Sequence, residues 1–118
     1  MFTITKEFAF SASHQLSRLP ESHQCARLHG HNYVVRVELS APDLDANNFV
    51  RDYGELAELK RHIDDTMDHR HLNDVFANEA VTAEFLARTL YDWCAERWPE
   101  TSAVAVSETP KTWAIYRP

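Results

Sequence analysis

The 118-residue chain predicts an α+β fold, a four-stranded antiparallel sheet with two helices on one face. Three observations lead there. Apolar residues recur at every second position near both ends of the sequence, they recur at helical spacing through the middle, and the elements come in the order strand, strand, helix, helix, strand, strand.

In residues 2 to 14 the apolar positions Phe2, Ile4, Phe8, Phe10 and Ala12 are all even-numbered, the period of a half-buried strand, and His14 continues that inward phase. From His31 onward Tyr33, Val35, Val37 and Leu39 alternate with Arg36 and Glu38, and His29 shares their parity; "SAPDLDANN" ends this second strand. Residues 52 to 67 place Leu56, Leu59, Ile63 and Met67 at helical spacing, with Asp52 and Glu55 suited to a single helix start. A second helix is expected from about Thr82 to Trp98, with Leu86, Leu90, Trp93 and Cys94 on its apolar side. "SAVAVSE" and "TWAIYR", separated by a turn near Pro110, supply the last two strands. Such a sheet leaves two open edges, which invite pairing with further copies of the chain, so a homo-oligomer is expected.

No repeat or linker divides the chain, and residues 1–118 are expected to form a single domain, long enough to bury a core without a structural metal. With 44% hydrophobic and 25% charged residues and no apolar run of membrane-spanning length, a soluble protein is expected rather than a membrane one. Lys6 and Glu7 interrupt what would have to be the apolar stretch of a signal peptide, and Cys25 and Cys94 are too few for a disulfide framework, which suits a cytoplasmic protein with free thiols. A net charge of −6 without a basic cluster argues against nucleic-acid binding, and two glycines cannot build a phosphate-cradling loop.

The stretch "CARLHGHNYVVRVEL" carries the densest chemistry. Alternation in a strand puts His29 and His31 on one face about 6 to 7 Å apart, and His14, in phase on the neighbouring strand, is the natural third ligand. Three neutral imidazoles suit Zn²⁺ and leave its fourth tetrahedral position open, whereas the plainer alternative is a set of hydrogen-bonded histidines at a sheet end. His69 and His71 in "DHRHLN" form a rival pair with the same spacing but without strand parity. Cys25 lies where a nearby cation would favour its thiolate as base or nucleophile, with a closed, structural Cys-His₃ site as the alternative. Cys94 belongs to an apolar helix stripe, and His23 and His62 are expected at the surface. Asp68 could orient His69 for proton transfer. Glu108 shares the inward phase of Val104 and Val106, where an acid needs a partner, such as a ligand with adjacent N–H donors, unless the strand end is already in solvent.

The segments "FSASH", "CARLHGHNY", "VRDYGELAELK", "MDHRHLN", "VTAEFLA" and "SETPKTWAIYR" together resemble the 6-pyruvoyl-tetrahydropterin synthase and 6-carboxytetrahydropterin synthase family over nearly the whole chain. The resemblance implies the tunnelling fold (T-fold). The three residues between Cys25 and His29 are similar to the carboxytetrahydropterin synthase branch of 7-deazapurine (queuosine) biosynthesis. It further implies zinc on His14, His29 and His31, Cys25 as catalytic base, and His69, oriented by Asp68, completing the relay from a neighbouring subunit. Glu108 would anchor the pterin with Thr82 in the same pocket. The implied assembly is a hexamer of two stacked trimers, and the implied substrate is 7,8-dihydroneopterin triphosphate. Val81, Tyr53 and Met67 depart from the family's usual proline, phenylalanine and leucine. A polyanionic substrate must approach a chain of net charge −6, and Arg18 and Arg27 are the nearby candidates to help it.

Overall fold

The alternation near the N-terminus becomes a long hairpin in the computed structural model, which describes residues 1–118. Strands β1 (Phe2–His14) and β2 (His29–Ala41) pair antiparallel along their whole lengths, from Phe2 opposite Ala41 to His14 opposite His29. Three helices follow, α1 (Ala57–Thr66), α2 (Leu72–Phe76) and α3 (Ala83–Arg97), and then β3 (Thr101–Thr109) and β4 (Thr112–Tyr116). The four strands form one antiparallel sheet in the order β1-β2-β3-β4, so β1 and β4 are its edges.

One face of the sheet is apolar because the expected parities hold. Phe8, Phe10, Tyr33, Val35, Val37, Leu39, Val104 and Val106 join Leu59 and Ile63 of α1 and Leu86, Leu90 and Cys94 of α3 in a single buried cluster. Each fully buried aliphatic or aromatic side chain contributes roughly 1.5–3 kcal/mol. Thr82 starts α3 by accepting a hydrogen bond from the Phe85 amide at 3.1 Å, which satisfies one of the helix's unpaired N–H groups. No helix is long and apolar enough to cross a membrane.

Four local features differ from the expectations. The single helix over 52 to 67 is a 3₁₀ turn (Tyr53–Leu56) followed by α1. Asp52 turns its carboxylate back onto the Gly54 amide at 2.9 Å, and Glu55 bonds Arg51 at 3.2 Å instead of closing a capping box. The short helix α2, too brief to leave a periodic signal, stops at Ala77, whose φ is 48°. Strand β2 starts at His29, because its pairing with His14 extends the ladder two residues before His31. His62 is half-buried, its ring stacked on Trp93 with centroids 4.4 Å apart, while the Arg97 guanidinium lies 3.7 Å from the Trp93 centroid.

Candidate metal centre and active site

Cross-strand register brings three histidines together at one end of the core. His14 stands opposite His29, and His31 stands opposite Ala12 on the same face. One ligand nitrogen from each of His14, His29 and His31 lies within 4.8 Å of the others. Four-coordinate zinc with Zn–N bonds near 2.0–2.1 Å places its nitrogens about 3.3 Å apart, so small side-chain adjustments complete the geometry.

Two backbone carbonyls fix which nitrogen each ring presents. His14 Nδ1 donates to the Val81 carbonyl at 2.7 Å, and His29 Nδ1 donates to the Arg27 carbonyl at 2.7 Å. Both Nε2 atoms therefore carry lone pairs, yet they face each other at 2.8 Å. Two acceptors at that separation repel unless a cation or proton lies between them. His31 Nε2 is buried without any hydrogen-bond partner, a costly state that a metal bond would relieve. Burial pushes the pKa values of His14 and His31 down, favouring the neutral imidazoles that ligate metals. The donor set fits a divalent ion of the zinc type. Cys25 is not part of the cluster, so a closed Cys-His₃ site is not what the chain builds.

Glu108 reaches the centre from β3, its Oε2 3.7 Å from His31 Nε2, beyond hydrogen-bonding range, and its side chain is 27% exposed. The carboxylate is therefore accessible to a ligand. Tyr33, two residues past His31, stacks on Phe10 at 4.9 Å and buries its hydroxyl without a partner; burial drives its pKa up. Cys25 is a half-buried free thiol in a 3₁₀ turn (Gln24–Ala26) tied to the end of β1 by Leu16 N donating to the Cys25 carbonyl at 2.9 Å.

Asp68 and His69 occupy the opposite kind of environment. His69 Nδ1 is 3.0 Å from Asp68 Oδ2, and the imidazole is 81% exposed. Asp68 Oδ1 accepts the Ser11 amide at 3.0 Å, and the His69 amide donates to the Ser11 carbonyl at 2.6 Å, so both residues are clamped to the edge of β1. The clamp holds His69 at φ 59°, in the left-handed region that non-glycine residues rarely occupy. The Ser11 N–H, and after it His69, keep the Asp68 carboxyl below the usual carboxylate range. His69 and His71 do not converge as a metal pair, since His71 Nδ1 instead meets Ser13 Oγ at 2.9 Å.

Thr82 spends its hydroxyl on capping α3, and the cleft that holds Glu108 is lined by the next residues, Ala83 and Glu84, together with Trp113. Arg18 lies 3.6 Å from Glu79 in an exposed pair, whereas Arg27 is exposed without a salt-bridge partner. The carbonyls of Val81 and Arg27 and the backbone of Ser11 escaped sequence reasoning. Main-chain atoms have no residue-type signature.

The four-stranded sheet with three histidines converging at one end of its core is the arrangement the sequence resemblance implies, and comparison with known proteins agrees. The family described as 6-pyruvoyl tetrahydropterin synthase matches residues 3–118. A 6-carboxy-5,6,7,8-tetrahydropterin synthase of Bacillus subtilis is 31% identical over 99% of this chain and 86% of its own length. The protein of that name from Synechocystis is 34% identical over 98% of this chain and 93% of its own. The structure of Caenorhabditis elegans 6-pyruvoyl tetrahydropterin synthase superposes with a TM-score of 0.86 at 26% identity, covering 99% of this chain and 95% of that one. The chain belongs to the 6-pyruvoyl tetrahydropterin synthase family, a family of enzymes.

Proposed function

We propose that this protein is a zinc-dependent 6-carboxy-5,6,7,8-tetrahydropterin synthase of cytoplasmic 7-deazapurine (queuosine) biosynthesis. It converts 7,8-dihydroneopterin triphosphate and water to 6-carboxytetrahydropterin, acetaldehyde and triphosphate. The observation that carries the reading is the opposed pair of Nε2 lone pairs on His14 and His29 beside the orphaned Nε2 of His31. The names of the relatives at 31% and 34% identity support the carboxy product.

Zinc held by the three histidines supplies Lewis acidity toward the substrate's side-chain oxygens. Cys25 removes a carbon-bound proton of the side chain, and His69 exchanges protons with its oxygens. Asp68 holds His69 in one tautomer by accepting from Nδ1, which leaves Nε2 to work. Glu108 accepts two N–H groups of the pterin's guanidine-like edge, a bidentate contact, and the residues after Thr82 close that pocket. Arg27 offsets phosphate charge near the metal ligands. Ring reduction is internal to the substrate, so no nicotinamide is needed.

His69 and Glu108 line adjoining clefts that share Gly30, His31 and Asn32, and neither cleft contains both groups. Membership of the family supports a homo-oligomer, a hexamer of two trimers, in which the exposed His69 and its partner Asp68 of one copy serve the metal centre of the next.

Product analysis after incubating zinc-loaded protein with 7,8-dihydroneopterin triphosphate, without reductant, tests the reading. Acetaldehyde with carboxytetrahydropterin is the expected result. A 6-pyruvoyl product would transfer the protein to the activity named for the Caenorhabditis neighbour. Loss of turnover in Cys25→Ala with zinc retained is also expected; joint loss of zinc and fold would favour a non-catalytic binding module.

A further inference from the structure

We propose that the cleft beside His69 is a subsite for a phosphate chain, with Arg70 as its fixed cation. The identity of the chain as part of a pterin substrate rests on the functional reading above, whereas the anion chemistry rests on the cleft itself. The cleft has a volume of about 480 Å³ and is lined by Ser11, Ser13, Asn32, His69, Arg70 and His71 among others. By strand parity Ser11, Ser13 and Asn32 belong to the sheet face away from the core.

The cleft is rich in donors and poor in acceptors. Ser11 Oγ donates to Asn32 Oδ1 at 2.7 Å, which occupies the amide's oxygen and leaves its NH₂ group without a partner in the chain. Arg70 Nη2 donates to the Asp65 carbonyl at 2.8 Å, which anchors the guanidinium and leaves its remaining N–H groups free. Asp68 is the acid at this edge, and both its oxygens are engaged, one by the Ser11 amide and one by His69. The backbone beneath is pinned, since Ser13 N donates to the Arg70 carbonyl at 3.1 Å and Ser13 bridges His71.

Arg70 also brings an uncompensated charge to the cleft. Arg36, Arg51, Arg97 and Arg117 each pair with a glutamate, whereas Arg70, like Arg27, Arg61 and Arg88, has no carboxylate partner, and of these four Arg70 is the one that lines this cleft. An anchored guanidinium without a carboxylate partner, beside the unpartnered Asn32 NH₂ group, is the chemistry that recognises phosphate oxygens. The neighbouring cleft beyond His71 carries Asp74 and Glu79 and repels such a chain, so the phosphates are confined to the Arg70 side.

The test uses inorganic tripolyphosphate, titrated calorimetrically into the full chain with and without zinc, so that chelation by the metal is separated from binding to the cleft. Arg70→Ala should weaken tripolyphosphate binding by about tenfold or more in both forms, and Arg70→Lys should recover only part of it because it lacks the planar fork. Equal affinity in wild type and Arg70→Ala, or no binding by wild type, overturns the subsite. In turnover, Arg70→Ala should raise KM for the pterin triphosphate more than it lowers kcat. Wild-type protein that binds tripolyphosphate through Arg70 but turns over no pterin triphosphate would defeat the functional reading and leave the subsite standing.

Discussion

The three-histidine centre and the Asp68–His69 edge make opposite uses of the same hairpin. At the first, imidazoles enter the core, two of them held by main-chain carbonyls, and His14 is 1% exposed. At the second, the carboxylate is fastened to the Ser11 backbone and the imidazole is held out, 81% exposed. In the first region the three imidazoles converge within one chain, with the Nε2 atoms of His14 and His29 facing each other at 2.8 Å. The other is held rigidly at the edge of β1, its imidazole displayed in a cleft that also reaches His31. Both regions are pre-organised, the first around converging ring nitrogens in the core and the second around an exposed imidazole at a strand edge.

The largest effect should come from breaking the first region. His14→Ala removes a ligand and strands the buried Val81 carbonyl, so bound zinc, read by elemental analysis, should fall from about one per chain toward zero and turnover should vanish. Full zinc occupancy in this variant would remove His14 from the centre.

Breaking the second region should leave the first intact. Asp68→Asn should lower kcat roughly 10²–10⁴-fold, because an amide no longer holds the His69 tautomer, while zinc content and thermal midpoint stay near wild type. A large loss of zinc would show that the two regions are coupled through β1.

The cysteines sharpen the contrast between reactive and packed groups. Cys94 is fully buried in α3 and burial pushes its pKa up to about 12, so it stays a protonated thiol at any ordinary pH. Iodoacetamide should modify Cys25 alone in the native protein and both thiols after denaturation, as mass spectrometry would show. Native modification of Cys94 would contradict the packing of α3.

The smallest effect lies far from both regions, at Glu38, whose carboxyl is held below its ordinary value chiefly by the hydrogen bond from Arg117, against the opposing pull of burial. A depressed folded pKa gives stability that is present above the unfolded value of about 4.3 and lost as pH falls through the folded one. Glu38→Gln should therefore cost about 1 kcal/mol or less at neutral pH, with the difference from wild type closing below about pH 4. Denaturant titration at several pH values measures it, and a cost that grows on acidification would reverse the sign.

Strand parity in the sequence located all four strands and the inward histidines, because a two-residue period is kept without interruption in the β1–β2 ladder and between the irregularities of the other two. The helix expected over 52 to 67 begins instead with a 3₁₀ turn because Asp52 satisfies Gly54 locally, a competition that periodicity does not see. α2 is too short to leave a periodic signal, and His62 is half-buried rather than at the surface because its partner Trp93 lies on another helix. At the site, residue types and spacing exposed the ligands. The features that decide their chemistry, the carbonyls of Val81 and Arg27 and the amide of Ser11, are main-chain atoms brought in by tertiary folding.

Mixing two inactive variants tests the central contrast most directly. Cys25→Ala and His69→Ala, each expected to lack turnover, would be unfolded together, refolded with zinc and assayed on the pterin triphosphate. If the displayed His69 of one copy serves the metal centre of another, random assembly restores activity at about one quarter of the sites. A mixture that co-assembles yet stays as inactive as its parents would place both residues in the same copy's site and contradict the account.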